Sequence, residues 1–173
     1  SGGQGKRMGG QDKGWCLHNG KPFIKLIVEQ LNTQANALNL PIQIVISANR
    51  NIEQYKSLGY PVISDLRKGF LGPLSGIESG LIWGKTNNIS HWITCPVDCL
   101  SLPKDYLMQM SQGYSQKGNC SNYVRVWTDK RSHYGHLYLT TEQCQKISSC
   151  LNQGDLAVKN WLHNTKYLTV KTS

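Results

Sequence analysis

IQIVISA, from Ile42 to Ala48, is a short apolar and β-branched run of strand length, the pattern of a strand buried on both faces in a parallel sheet. A parallel strand reaches its neighbour only through a crossover, and the flanking sequence supplies helices for one. Upstream, Pro22 can take the first position of a helix in which Phe23, Leu26, Ile27 and Leu31 recur at helical spacing. Downstream, a shorter polar helix from about Asn51 to Leu58 leads into a second strand, Tyr60 to Ser64, which ends in Asp65. Pro73 can open another helix with Leu74, Ile77, Leu81 and Ile82 on one face, and His91 to Cys95 reads as the next strand. That strand breaks off at Pro96, with Asp98 just beyond.

The second half continues with a helix near Pro103 to Ser111. NYVRVWTDKRSHYGHLYLT, Asn122 to Thr140, then reads as two strands joined by a polar turn, an antiparallel hairpin. Thr140 with Gln143 has the spacing of a capping box for a helix through Leu151. LAVKNWLH, Leu156 to His163, reads as a last helix, and Tyr167 to Lys171 as a last strand. Strands alternating with helices predict an α/β fold of three layers with a mostly parallel sheet and one antiparallel hairpin. A chain of 173 residues suits one domain with a single sizeable core. Ligands in such folds sit outside the carboxyl ends of the strands. Asp65 and Asp98 both fall there.

A formal net charge of +9, from 19 Lys and Arg against 10 Asp and Glu, attracts anions. The basic residues are dispersed and no nucleic-acid-binding motif is present, so a nucleotide or phosphorylated cofactor is the expected partner rather than DNA or RNA. No apolar stretch approaches the ~20 residues that span a bilayer, so no membrane partner is expected. Cys16, Cys95, Cys99, Cys120, Cys144 and Cys150 form no C-x-x-C pair. Buried free thiols in a reducing, cytoplasmic setting are the expectation.

SGGQGKRMGGQDKG, Ser1 to Gly14, opens the chain, and its composition admits two readings: a flexible tail, or a phosphate cradle. Backbone N–H groups of glycines can converge on an anionic oxygen, with Arg7 and Lys13 adding charge. The order is not that of a Walker loop, because Lys6 is followed by Arg7, nor that of a dinucleotide fingerprint, which needs glycine where Met8 stands. By itself Asp65 reads as a turn cap, while Asp98 reads as a turn residue or a metal ligand, its place at the mouth of a parallel sheet opposite a basic loop favouring the metal. His133 and His136 lie on the predicted hairpin, where strict alternation sends them to opposite faces, which argues against a shared metal.

SGGQGKRMGGQDKG, NGKPF, ISANRN, SLGYPVISD, GFLGPLSGI, CPVD and LP follow in one order at βα spacing. This succession resembles the molybdenum cofactor guanylyltransferase family, the MobA-type nucleotidyltransferases, from Gly2 to about Leu162. The resemblance implies a Rossmann-like nucleotidyltransferase fold that transfers GMP from GTP to the terminal phosphate of molybdopterin. It also implies Mg2+ as cofactor, and molybdenum-insertion and acceptor enzymes as further partners. Gly2 and Gly3 match the family's nucleotide loop, and Arg7 and Lys13 its phosphate-facing basic residues. Ser47 falls where some members place a guanine-contacting Asn, Asp65 matches an acidic residue near the base, and Asp98 matches the metal-binding aspartate. Asn49, Arg50, Gly72, Pro73 and Gly76 match further positions around the cleft.

Three departures accompany the resemblance. Tyr134 stands where the family often has Pro after the histidine matched by His133, and Leu156 and Ala157 replace basic residues on the pterin side. Family members also run an apolar strand into the glycine loop and close with a segment rich in Asn and Thr, so the expectation is a chain lacking that first strand, with both ends trimmed. A cytidylyl- or sugar-phosphate nucleotidyltransferase, and a non-catalytic GTP-binding module, are the competing functional readings.

Overall fold

Leu137 and Tyr138 are adjacent on one strand yet enter different cores, and the layering follows from that alternation. The computed structural model describes residues 11–69, 71–115 and 124–171. Its main sheet has four strands in the order β5 (His91–Thr94), β7 (Ser132–Thr140), β6 (Val124–Thr128) and β8 (Tyr167–Lys171). β7 runs antiparallel to both its neighbours, while β6 and β8 are parallel. Hence β5, β6 and β8 all point one way, but the return strand of the expected hairpin is inserted between β5 and β6, so the pairings of this sheet are mixed, antiparallel at β5–β7 and β7–β6 and parallel at β6–β8, rather than mostly parallel.

On one face Leu137 and Leu139 of β7 and Val124 and Val126 of β6 pack against Leu74 and Leu81 of α3 (Gly72–Thr86), Ile147 of α5 (Cys144–Asn152) and Trp161 of α6 (Val158–His163). On the other, Trp127, Tyr138 and Val170 meet Ile27 and Ala35 of α1 (Phe23–Ala37) and Tyr106 and Met110 of α4 (Tyr106–Ser115). The result is helices, sheet, helices. A third cluster joins Ile24 and Val28 of α1 to Ile46 of β3 (Ile46–Ser47) and Tyr55 of α2 (Ile52–Lys56). β3 pairs in parallel with β4 (Val62–Ile63). A small antiparallel hairpin, β1 (Leu17–His18) and β2 (Lys21–Pro22), turns through Asn19 and Gly20, both at positive φ.

Several local expectations are corrected. IQIVISA forms only the two-residue β3, because its partner strand is equally short and Ile42 is 37% exposed. The buried stripe of α1 is Ile24, Ile27, Val28 and Ala35 rather than one led by Phe23 and Leu26. Ile82 is 37% exposed on α3, whose Leu74 and Leu81 enter the core with Ile77 packed against it. Thr140 makes no capping bond to α5, because a 3-10 turn over Thr141–Gln143 intervenes. Among the described residues no helix is long and apolar enough to cross a membrane.

Candidate functional site

Asp98 follows β5, and both ends of its turn are held. Before it, the Thr94 hydroxyl donates to the Gly135 carbonyl at 2.8 Å and accepts from the Leu137 N–H at 3.1 Å. Pro96 packs so closely on Gly135 that a Cβ there would meet Pro96 Cγ at 2.5 Å. After it, Gln30 of α1 accepts from the Leu102 N–H at 2.8 Å and donates to the Leu100 carbonyl at 3.0 Å. Gln34, one turn further along α1, repeats the arrangement with the Leu107 N–H at 2.9 Å and the Pro103 carbonyl at 2.7 Å. A helix side chain that both donates to and accepts from a loop fixes its backbone as a strand neighbour would.

Lys13, which opens a 3-10 turn over Lys13–Trp15, places its ammonium 2.7 Å from Asp98 Oδ2 across 85 residues of sequence. Its hydrogen bond holds the Asp98 carboxyl below the usual carboxylate range, against the opposing effect of partial burial. The two side chains are 46% and 48% exposed, so the pair adds little to stability. An exposed cation and an ionised carboxylate meet at the carboxyl end of a sheet strand, where a phosphate and a hard metal ion find complementary partners.

Ser47 and Asp65 form a second grouping at the ends of β3 and β4. A Cβ at Gly76, in the second turn of α3, would lie 3.2 Å from Ser47 Oγ and 3.4 Å from Asp65 Oδ1. The two polar side chains therefore share one space against the helix. The segment after β3 ties this pair to the Lys13 loop: Asn49 Oδ1 accepts from the Asp65 N–H at 2.8 Å, and Arg50 Nη2 donates to the Gln11 carbonyl at 3.1 Å. Beyond Asp65 the chain is clamped to α3. Ser79 Oγ accepts from the Leu66 N–H at 2.9 Å, and Arg67 forks onto the buried Glu78 carboxylate at 2.6 and 2.8 Å. The guanidinium keeps the Glu78 carboxyl below its ordinary range, and the Ser148 hydroxyl adds to the effect.

Of the residues expected at the site, Lys13 meets Asp98, and Ser47 and Asp65 both approach Gly76, while Gly2, Gly3 and Arg7 lie outside the described residues. His133 and His136 do not point to opposite faces. Four residues of β7, His133 to His136, stand opposite Trp127 alone, between the Val126–Leu137 and Thr128–Ser132 pairs. This bulge resets the alternation. Both rings contact Trp127, His133 stacked at 4.4 Å and His136 edge-on at 4.6 Å between centroids. The described cysteines are free; Cys16 and Cys144 are buried, Cys95, Cys99 and Cys150 partly so, and Cys120 lies outside the described residues. Burial pushes the Cys95 thiol well up, which suits a packing role. No group of three or more metal-ligating side chains occurs among the described residues.

The sequence reading missed Asp12, Asn51 and Tyr55, which bind one another beside Lys13. An available signal was the aspartate directly before the 3-10 turn, where it caps the Gly14 N–H at 3.2 Å.

A family model described as a MobA-like NTP transferase domain matches residues 1–168. Molybdenum cofactor guanylyltransferases from Yersinia pestis (strain Pestoides F) and Yersinia pseudotuberculosis serotype O:3 (strain YPIII) are each 33% identical over 174 residues, spanning 100% of this chain and 82% of theirs. Among solved structures, molybdopterin-guanine dinucleotide biosynthesis protein A from Archaeoglobus fulgidus superposes with a TM-score of 0.73 at 18% identity, over 98% of this chain and 80% of that one. A protein from Aquifex aeolicus VF5 gives 0.64 at 16% identity, over 87% and 75%. These two likenesses show the fold. The family match over nearly the whole length, and the relatives' identity across all of it, show that the chain belongs to the MobA-like NTP transferase domain family, a family of nucleotidyltransferases.

Proposed function

We propose that the chain transfers GMP from GTP to the terminal phosphate of molybdopterin, releasing pyrophosphate. The contact of Lys13 with Asp98 at 2.7 Å carries this reading, because it joins a basic residue of the glycine-rich loop to the carboxylate beyond β5. The names of the relatives support the choice of nucleotide and acceptor. In the reaction an acceptor phosphate oxygen forms a bond to the α-phosphorus of GTP while the bond from that phosphorus to the β-bridging oxygen breaks. The acceptor oxygen is already anionic, so alignment and charge neutralisation matter more than a general base.

Lys13 would bind phosphate oxygens and take up charge as pyrophosphate departs, with Arg7 and the backbone of Gly2 and Gly3 as further candidates for phosphate binding. Ser47 and Asp65 would face the base. Asp98 fits Mg2+: its carboxylate is a hard oxygen donor, half exposed and kept ionised by Lys13. When bound, the ion would supply electrostatic stabilisation to the phosphate oxygens.

The test is pyrophosphate release from GTP with Mg2+ and molybdopterin, repeated with CTP and UTP. Turnover with GTP is expected, and Asp98→Asn should lower it about a hundredfold or more. No release by folded protein, or a preference for CTP or UTP, would overturn the proposal. GTP binding without turnover would select a non-catalytic module.

A further inference from the structure

The Lys13 side chain is too exposed for its ion pair to fix its own position, so something else must aim it. Immediately before it stands Asp12, a carboxylate with a side chain 4% exposed. Asp12 Oδ1 accepts from the Tyr55 hydroxyl at 2.7 Å and from the Gly14 N–H at 3.2 Å. Oδ2 accepts from Asn51 Nδ2 at 3.1 Å, and Arg50 Nε lies 4.0 Å away. Every side-chain partner comes from the segment after β3 or from α2, 38 to 43 residues on in sequence.

Each partner is itself held. Tyr55 is 0% exposed and packs against Trp15, with ring centroids 5.1 Å apart. Asn51 holds a left-handed backbone at φ 53°, which Asn tolerates better than most residues. Gly14 passes so close to the phenol that a Cβ there would overlap the Tyr55 hydroxyl. The backbone on both sides of Lys13 is thus pinned to the third core cluster. Stability alone does not account for the arrangement, since an apolar pair of similar volume commonly stabilises as well as a buried carboxylate with its partners.

We infer that Asp12, gripped by Tyr55 and Asn51, is the positioning residue that sets Lys13 opposite Asp98. The inference rests on the phosphate role proposed for Lys13. It gives α2 a function, which is to carry the phenol that anchors the loop.

The test compares wild type, Tyr55→Phe, Lys13→Met and the double variant in pyrophosphate release, after thermal melts establish that each is folded. Asn51→Gly, which keeps the left-handed backbone and removes only the amide, is the second variant. Tyr55→Phe and Asn51→Gly are expected to lower kcat about tenfold while changing KM for GTP less than about twofold. In the Lys13→Met background the Tyr55→Phe change should add less than about twofold, because both act through one ammonium. An equal loss in that background, or wild-type kcat in both single variants, would overturn the inference. A crystal structure of Tyr55→Phe reads the same point without turnover: Lys13 should leave Asp98 while the fold superposes, and an unmoved Lys13 would overturn the device. Absence of pyrophosphate release by wild type, with Lys13 displaced in that crystal, would instead sink the proposed reaction and leave the positioning intact.

Discussion

The His136 imidazole is 4% exposed, set between Trp127 and the Tyr106 hydroxyl, which lies 3.0 Å from Nδ1. Burial pulls its pKa from 6.5 down to about 4, with His133 acting in the same direction and Asp98 against it. The sign of the linkage follows: below the unfolded value the denatured chain binds a proton that the folded ring refuses. Stability from this group is therefore complete above 6.5 and is lost as pH falls through the window down to about 4. The full loss is on the order of 3 kcal/mol, of which about 2 kcal/mol is gone by about pH 5. His136→Asn should start less stable at neutral pH and lose less over the same interval, as read by urea midpoints at about pH 7 and about pH 5. Parallel losses in wild type and variant would refute the assignment. Alternation along the strand could not find this residue's place, because the bulge opposite Trp127 depends on the register of a partner strand that the sequence of β7 does not encode.

At the scale of elements, α3 meets the ends of β3 and β4 through a glycine. Gly76→Ala introduces a methyl 3.2 Å from Ser47 Oγ, a few tenths of an ångström tighter than comfortable contact, and 3.4 Å from Asp65 Oδ1, at the near edge of ordinary contact. Helix propensity favours the alanine by about 1 kcal/mol, which offsets the crowding. The melting temperature should then stay within about 3 °C of wild type, while, on the base-facing role proposed for Ser47 and Asp65, their displacement should raise KM for GTP about fivefold with kcat nearly unchanged. Unchanged nucleotide KM would remove Ser47 and Asp65 from the site. The helix itself was legible from Pro73 and the spacing of Leu74, Ile77 and Leu81, and β8 was legible to the residue. The resemblance named Lys13 and Asp98 separately, but nothing local announces that they touch. β3 was over-read because apolar content sets burial, whereas strand length is set by what the neighbour can pair. Asp12 escaped notice because its side-chain partners lie about forty residues away, on or just before a helix of five residues with no strong periodicity of its own.

For the whole molecule, β6 and β7 couple the two faces. Leu137 and Met110 are both 0% exposed, the first beneath α3, α5 and α6, the second beneath α1 and against the opposite face of the sheet. Truncating either to alanine removes methylenes and leaves a cavity, at a cost of about 2 to 5 kcal/mol, a large share of the roughly 5 to 15 kcal/mol that holds a domain together. Because Leu137 and Tyr138 are consecutive, loosening one face disturbs the backbone on which the other is built. Leu137→Ala and Met110→Ala should therefore each lower the urea midpoint with an unchanged m-value, and fluorescence and far-UV circular dichroism should report coincident transitions. Two separated transitions in either variant would mean that the faces fold independently. The Asp98 turn depends on that union: Thr94 and Pro96 secure it to β7 from the sheet, and Gln30 and Gln34 secure it to α1 from the helical layer. A variant that separated the layers would consequently lose the Lys13–Asp98 contact along with its core, so nucleotide binding measured by thermal shift should vanish at the same urea concentration as the fold.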